Sequence, residues 1–158
     1  MNIYLDSNNY YRVFDDQTQL RIKMEANAVN RIFEFVDSGR FQLCGSFVLE
    51  YENNKNNSLK NKLHVQVIFS KGTFYIKFDV QVIEMAKKII KLSRAGIYDA
   101  LHLSCAVINN CEYFITCDDR FIRTINASFG QSGGIIGPIK IINPCDFIGK
   151  EMKSNDGR

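Results

Sequence analysis

Short apolar runs alternate with longer helical patterns along the chain, and this alternation constrains the fold more than any other feature. Runs at 2–5, 41–44, 74–78, 112–116 and 138–142 have the length and composition of strands. Between them, apolar side chains recur every three or four positions, which predicts helices, as at Ile22, Ala26, Val29, Phe33 and Val36. Strands that alternate with helices predict a three-layer α/β/α sandwich with a mostly parallel central sheet.

The chain has the length and composition of one globular domain. Of its 158 residues, 46% are hydrophobic and 23% are charged. We predict a domain over residues 1–150 and a polar C-terminal tail over 151–158. No apolar run approaches the roughly 20 residues of a membrane helix, and Asp6 interrupts the N-terminal apolar run. Five cysteines without a CxxC pair favour reduced thiols, so we expect a cytoplasmic protein with no membrane partner.

Acidic side chains follow several of the predicted strands. Asp6 ends the first strand, and Asp118 follows the strand at 112–116. Asp99 begins the most apolar predicted helix, and Glu52 lies on the helix after the second strand, with Glu50 as an alternative. Each aspartate alone is explained by a turn or a helix cap. Together they indicate a site, because ligands of parallel sheets bind beyond the carboxyl ends of the strands.

Gathered carboxylates repel one another, and a divalent cation removes that repulsion. Oxygen ligands suit Mg²⁺ or Mn²⁺, whereas zinc prefers His and Cys, and the chain has only two histidines, His64 and His102. A cation held by carboxylates can activate water and neutralise charge during phosphodiester hydrolysis. The mildly basic net charge of +3 permits a nucleic-acid partner without demanding one.

Three segments in order, "IYLDSN", "GIYDALHLSCA" and "YFITCDDRF", resemble the PIN domain. This fold is shared by many metal-dependent ribonucleases, including VapC-type toxins of bacterial toxin–antitoxin pairs, and "NYYRVFDDQTQLRI" and "NPCDFI" resemble a VapC-like subgroup. The resemblance implies four acids at the catalytic centre, which fall on Asp6, Glu52, Asp99 and Asp118. Counting six residues from Ser46 favours Glu52 over Glu50.

The resemblance also implies roles around these acids. Asp6, Asp99 and Asp118 would hold Mg²⁺ or Mn²⁺, with Asn8 and Thr116 as polar companions. The implied activity is endoribonuclease hydrolysis of RNA, and the implied partners are a small antitoxin protein and a second copy of the chain. A basic rim should attract RNA, and Arg120 is the first candidate for a phosphate contact. We expect His102 to have a packed or hydrogen-bonded structural role.

Other functions fit less well. A phosphotransfer receiver expects a lysine after the last strand, whereas Lys140 lies inside it. A phosphatase of the haloacid-dehalogenase type expects DxD after the first strand, where this chain has Asp6-Ser7-Asn8. A catalytically weak PIN-like module that acts through protein contacts stays open, although the four intact acids argue against it.

Overall fold

The computed structural model describes residues 1–130 and 134–156, in which five strands form one sheet. Every neighbouring pair of strands is parallel, and the order across the sheet is β3-β2-β1-β4-β5. This confirms the predicted three-layer fold with a parallel centre. The strands are β1 (Asn2–Leu5), β2 (Gln42–Ser46), β3 (Phe74–Ile76), β4 (Tyr113–Ile115) and β5 (Lys140–Ile142).

Eight α-helices and two short 3₁₀ helices, Arg12–Phe14 and Gly134–Ile136, connect and cover the strands in the described part of the chain. Two start at residue types that favour N-caps: Ser46 accepts from the Leu49 amide at 3.2 Å, and Asp79 accepts from the Gln81 amide at 2.7 Å. The α-helices are α1 (Ser7–Tyr11), α2 (Leu20–Asp37), α3 (Phe47–Asn54), α4 (Leu59–Phe69), α5 (Val80–Ser93), α6 (Ile97–Ile108), α7 (Asp119–Phe129) and α8 (Pro144–Asp156).

The winding of the sheet reverses at β1. From β1 the chain moves outward through β2 to the edge strand β3, then crosses back to β4 and β5 on the other side of β1. Because parallel crossovers are right-handed, the two directions of winding place their helices on opposite faces of the sheet. Accordingly, α2 packs with α8, and α5 packs with α6 and α7. The carboxyl ends of β1 and β4 therefore border an uncovered crevice.

The central strand β1 is buried on both faces. Ile3, Tyr4 and Leu5 are each 0% exposed, which explains why their sequence is continuously apolar or aromatic instead of alternating with polar residues. Phe114 of β4 stacks on Tyr4, with ring centroids 5.6 Å apart. A strand fixed in this way gives the following residue, Asp6, a rigid backbone position.

Two segments in the C-terminal part of the chain differ in detail from the sequence prediction. Residues 151–156 continue α8, and Glu151 is buried and pairs with Arg40 at 3.0 Å, so this part of the predicted tail is helical. The division into a domain and a tail itself stays a prediction. In the predicted Gly-rich loop at 129–138, Gly134–Ile136 form a 3₁₀ turn, while 131–133 lie outside the described residues. Among residues 1–130 and 134–156, no helix has the length and apolar character needed to cross a membrane.

Candidate active site

Asp6 lies at the point where the winding of the sheet reverses. It follows β1 directly, and its amide donates to the Ile115 carbonyl of β4 at 3.2 Å. Its side chain is only 5% exposed. Both carboxylate oxygens accept hydrogen bonds: Oδ2 from the amide of Asn8 at 2.9 Å and Oδ1 from the amide of Asn9 at 2.7 Å. A buried carboxylate held at both oxygens has a fixed orientation.

Asn8 links Asp6 to the loop after β4. Its amide also donates to Thr116 Oγ1 at 3.2 Å, and its Oδ1 accepts from the Cys117 backbone amide at 3.0 Å. Thr116 Oγ1 in turn accepts from the Asp118 amide at 3.0 Å. The two predicted polar companions therefore connect Asp6 with Asp118, across the crevice between β1 and β4.

Asp118, a predicted site residue, is also the N-cap of α7. Its Oδ1 accepts from the Phe121 amide at 2.9 Å, and the residue is exposed. The sequence allowed the cap and the site as alternative explanations, and the geometry combines them. One carboxylate oxygen starts the helix, while Oδ2 has no partner among the described residues.

Glu52 is held by a buried chain of hydrogen bonds that begins at the start of α3. Ser46 Oγ and the Tyr4 hydroxyl are 2.7 Å apart, Tyr4 and His102 Nδ1 are 2.7 Å apart, and His102 Nε2 and Glu52 Oε2 are 2.5 Å apart. Ser7 Oγ also donates to Glu52 Oε2. This confirms the structural role expected for His102, which is buried and orients the predicted acid.

The protons of this chain follow from the charge of Glu52. An ionised carboxylate only accepts, so His102 Nε2 carries the hydrogen that it donates to Glu52. In a neutral ring Nδ1 then accepts from the Tyr4 hydroxyl, and burial raises the pKa of Tyr4 so that this hydroxyl keeps its proton. Glu50, the alternative acid, points elsewhere: its Oε2 accepts from the Tyr75 hydroxyl at 2.5 Å, and the residue is exposed.

Asp99 lies in the first turn of α6 but does not cap that helix. The N-cap position is Gly96, where no side chain can cap, so the simple capping explanation of Asp99 is wrong. A Cβ added at Gly96 would meet Asp99 Oδ2 at 3.1 Å, a distance that forces the carboxylate to shift. The absence of a side chain at Gly96 therefore makes room for the Asp99 carboxylate.

The carboxylates influence one another's pKa. Burial raises the pKa of Asp6 from 3.8 to about 7, and the charge of Asp99 adds to the rise, while Thr116, His102 and Asn9 oppose it. Burial also raises the pKa of Asp99, with further contributions from the charges of Asp118 and Glu52. Burial alone would raise the pKa of Glu52, but the hydrogen bond and charge of His102, the Ser7 hydroxyl and the charge of Lys55 together outweigh it and lower that pKa. The four predicted acids thus share one region of negative potential.

The carboxylates of the four predicted acids suit a divalent cation chemically, although their positions do not form a complete set of metal ligands. Across residues 1–130 and 134–156, no three His, Cys, Asp or Glu side chains are arranged as metal ligands. The available donors are carboxylate oxygens, which suit Mg²⁺ or Mn²⁺. Burial first, and neighbouring carboxylates second, raise the pKa of Asp6 and of Asp99, and a cation bound there would favour the ionised form of both groups.

Arg120 lies at the rim of the acidic crevice. It is exposed and lines two open clefts, one with Asp99 and Asp118 and the other with Asn8. By contrast, Lys87 on α5 pairs with Glu84 of the same helix at 2.9 Å. Arg120 therefore borders the crevice together with Arg94 and Arg123, and its contact with a phosphate stays a prediction.

Some residues at the site were not singled out from the sequence. Asn9 is buried and donates to both Asp6 and the Ile115 carbonyl. Glu25, 2% exposed, pairs with Arg12 and Arg21, and Arg21 pairs with Asp119 at 2.9 Å, which ties α2 to the loop carrying Asp118. A polar residue inside an apolar helical stripe, as at Glu25, is the signal available in the sequence.

Comparison with known proteins identifies the fold family. Comparison with curated proteins gives no match. Among solved structures, a chain of VapBC2 from Rickettsia felis, determined bound to a DNA fragment from their promoter, is similar with a TM-score of 0.56 and 15% sequence identity. The similarity covers 90% of this chain and 98% of that one. Residues 3–126 match the PIN domain family, so the chain belongs to the PIN domain family.

Proposed function

We propose that this protein is a metal-dependent ribonuclease that hydrolyses RNA phosphodiester bonds. PIN domains are generally nucleases, and the coarse class follows from membership of the family. The finer assignment rests chiefly on one observation: Asp6 is buried at the winding reversal, with both oxygens held by amides and its pKa raised to about 7. A group kept there at such a cost in free energy has a function other than a turn.

In this proposal Asp6, Asp99 and Asp118 hold Mg²⁺ or Mn²⁺. A cation held by these three carboxylates would supply positive charge near the phosphoryl oxygens and lower the pKa of a bound water. Asn8 and Thr116 fix the positions of Asp6 and Asp118 relative to each other. Glu52, ionised and fixed by His102, accepts a proton from the attacking water or orients it. Arg120 contacts a phosphate of the RNA.

The test compares the wild type with Asp6→Asn on single-stranded RNA in Mg²⁺ or Mn²⁺, with and without EDTA. We expect metal-dependent cleavage by the wild type, abolished by EDTA and reduced by at least about a hundredfold in Asp6→Asn. Asp79→Asn is the matched control, because Asp79 caps α5 away from the site and asparagine caps equally well. Cleavage that survives both EDTA and Asp6→Asn would refute the proposal, whereas a wild type that cuts no RNA would favour the binding module.

We further propose that the protein is the toxin of a cytoplasmic toxin–antitoxin pair, restrained by a small antitoxin and acting as a homodimer. The support is the similarity to a VapBC2 chain and a row of exposed apolar side chains on α4, which suits a protein partner: Leu59, Leu63 and Val67. Expression of the chain alone should arrest growth, and expression of Asp6→Asn should not. Equal growth of both strains at equal protein levels would contradict the toxin assignment.

A further inference from the structure

Two exposed tyrosines stack on each other between the two helices that carry Glu52 and Asp99. Tyr51 of α3 and Tyr98 of α6 have ring centroids 6.1 Å apart and planes inclined by 21°. Tyr51 is 49% exposed and Tyr98 is 41% exposed. Each immediately precedes a predicted acid in the sequence, so the ring pair joins α3 and α6 at the turns that carry Glu52 and Asp99.

Lys55 completes this surface. Its Nζ lies 4.2 Å from the centroid of the Tyr51 ring and 5.6 Å from that of Tyr98, and it donates to the Tyr98 hydroxyl at 3.3 Å. Lys55 is one helical turn after Glu52, and its charge contributes to lowering the pKa of that carboxyl. An ammonium group and two half-exposed aromatic rings therefore adjoin the predicted catalytic acid.

We propose that Tyr51, Tyr98 and Lys55 form a binding subsite for one unpaired nucleotide of the RNA substrate. The inference rests on the proposed ribonuclease function and adds to it where the RNA lies and which kind of RNA is taken. Aromatic rings stack on any nucleobase, and the lysine supplies a charge for the adjoining phosphate. A base inside a duplex cannot reach such rings, so the subsite selects single-stranded or looped RNA.

The charge of the surroundings favours RNA over an apolar protein segment as the occupant. The acidic crevice repels a polyanion, and a nucleotide bound beside it needs compensation that Lys55 provides on one side and Arg120 on the other. Two half-exposed tyrosines and a lysine also differ from the aliphatic row on α4. A protein partner on this surface is the alternative outcome of the test.

The chain contains no tryptophan, which makes a direct test available. Tyr51→Trp or Tyr98→Trp introduces a single fluorophore that keeps an aromatic face, and Asp6→Asn in the same chain prevents cleavage during titration. Single-stranded RNA should quench this fluorescence, and the same sequence annealed to its complement should not. Tyr75→Trp is the matched control. Tyr75 is 47% exposed but lies on the edge strand β3, where its hydroxyl donates to Glu50.

Removal of the rings and of the charge should have different effects. Tyr51→Leu or Tyr98→Leu should weaken single-stranded RNA binding by at least about fivefold, with little change in salt dependence. Lys55→Gln should instead reduce the slope of log affinity against log salt by about 0.7, the value for one phosphate contact on a single strand. Lys60→Gln, an exposed lysine on α4, should change neither quantity.

The outcomes separate this inference from the proposed function. If the wild type cuts RNA and both leucine variants bind and cut it equally well, the subsite is refuted while the nuclease stands. If the wild type cuts nothing but the tryptophan variants are still quenched by single-stranded RNA, the subsite stands and the nuclease fails. Leucine variants that keep RNA binding but lose a co-expressed protein partner assign the surface to that partner and overturn the inference.

Discussion

At the scale of single residues, the buried tyrosines Tyr4 and Tyr10 differ in whether the hydroxyl is hydrogen-bonded. Tyr4 is fully buried and its hydroxyl lies 2.7 Å from both Ser46 Oγ and His102 Nδ1. Tyr10 is also buried, but its hydroxyl has no hydrogen-bond partner in the described part of the chain. The two residues form a matched pair in the same protein.

Tyr4→Phe should lower the free energy of unfolding by about 1–3 kcal/mol, because it leaves the buried Nδ1 of His102 unpaired and removes one of the hydrogen bonds of Ser46 Oγ. It should also lower RNA cleavage, since the ring that fixes Glu52 loses the contact that holds its Nδ1. Tyr10→Phe should be neutral or slightly stabilising. Urea denaturation and cleavage rates of both variants check this. Equal stability of the two would show that the hydrogen-bond chain contributes nothing.

At the scale of elements, the start of α7 combines a structural task with a chemical one. Asp118 Oδ1 caps the helix through the Phe121 amide. Asparagine caps a helix about as well as aspartate but carries no charge, whereas alanine provides neither a cap nor a charge. The two substitutions therefore separate the contribution of the cap from that of the charge.

Asp118→Asn should keep the stability of the wild type and lose RNA cleavage in Mg²⁺. Asp118→Ala should lose cleavage and, in addition, about 1 kcal/mol of unfolding free energy. Thermal denaturation in EDTA measures the stability of each variant without metal, and a cleavage assay in Mg²⁺ measures its activity. Full activity in Asp118→Asn would remove Asp118 from the proposed metal ligands and leave it as a cap.

At the scale of the whole molecule, the buried carboxylates make folding depend on pH. The pKa of Asp6 is about 7 in the folded protein against an ordinary value of 3.8. Between these values the folded state binds a proton that the unfolded state has released, so the contribution of Asp6 to stability is complete below about pH 4. It is lost as the pH rises through 7. Asp99 has the same sign, because its pKa is also raised.

In EDTA, the melting temperature of the wild type should therefore fall by several degrees relative to that of Asp6→Asn between pH 5 and pH 8. In a domain of this size 1 kcal/mol corresponds to about 2–4 °C. Mg²⁺ or Mn²⁺ at pH 8 should raise the melting temperature of the wild type and not that of Asp6→Asn. A difference between the two proteins that is independent of pH would show that Asp6 ionises normally.

The sequence alone determined the layered fold and most of the elements, because periodicity of apolar residues and helix caps such as Ser46 and Asp79 are local signals. The resemblance to the PIN domain favoured Glu52 over Glu50, and the sequence placed Asp6 and Asp118 after strands. It did not reveal the short helix α1, in which Asn9 donates a hydrogen bond to Asp6, because five residues are too few to show the apolar periodicity of a helix.

Only the tertiary structure decided which side chains share an environment. The hydrogen-bond chain from Ser46 through Tyr4 and His102 to Glu52 joins residues far apart in sequence, and neither register nor spacing encodes it. The stacking of Tyr51 on Tyr98 likewise depends on how α3 meets α6. The physical reason is that burial and charge coupling, which set the pKa of Asp6, are properties of the packed molecule, whereas propensity and periodicity are properties of the chain.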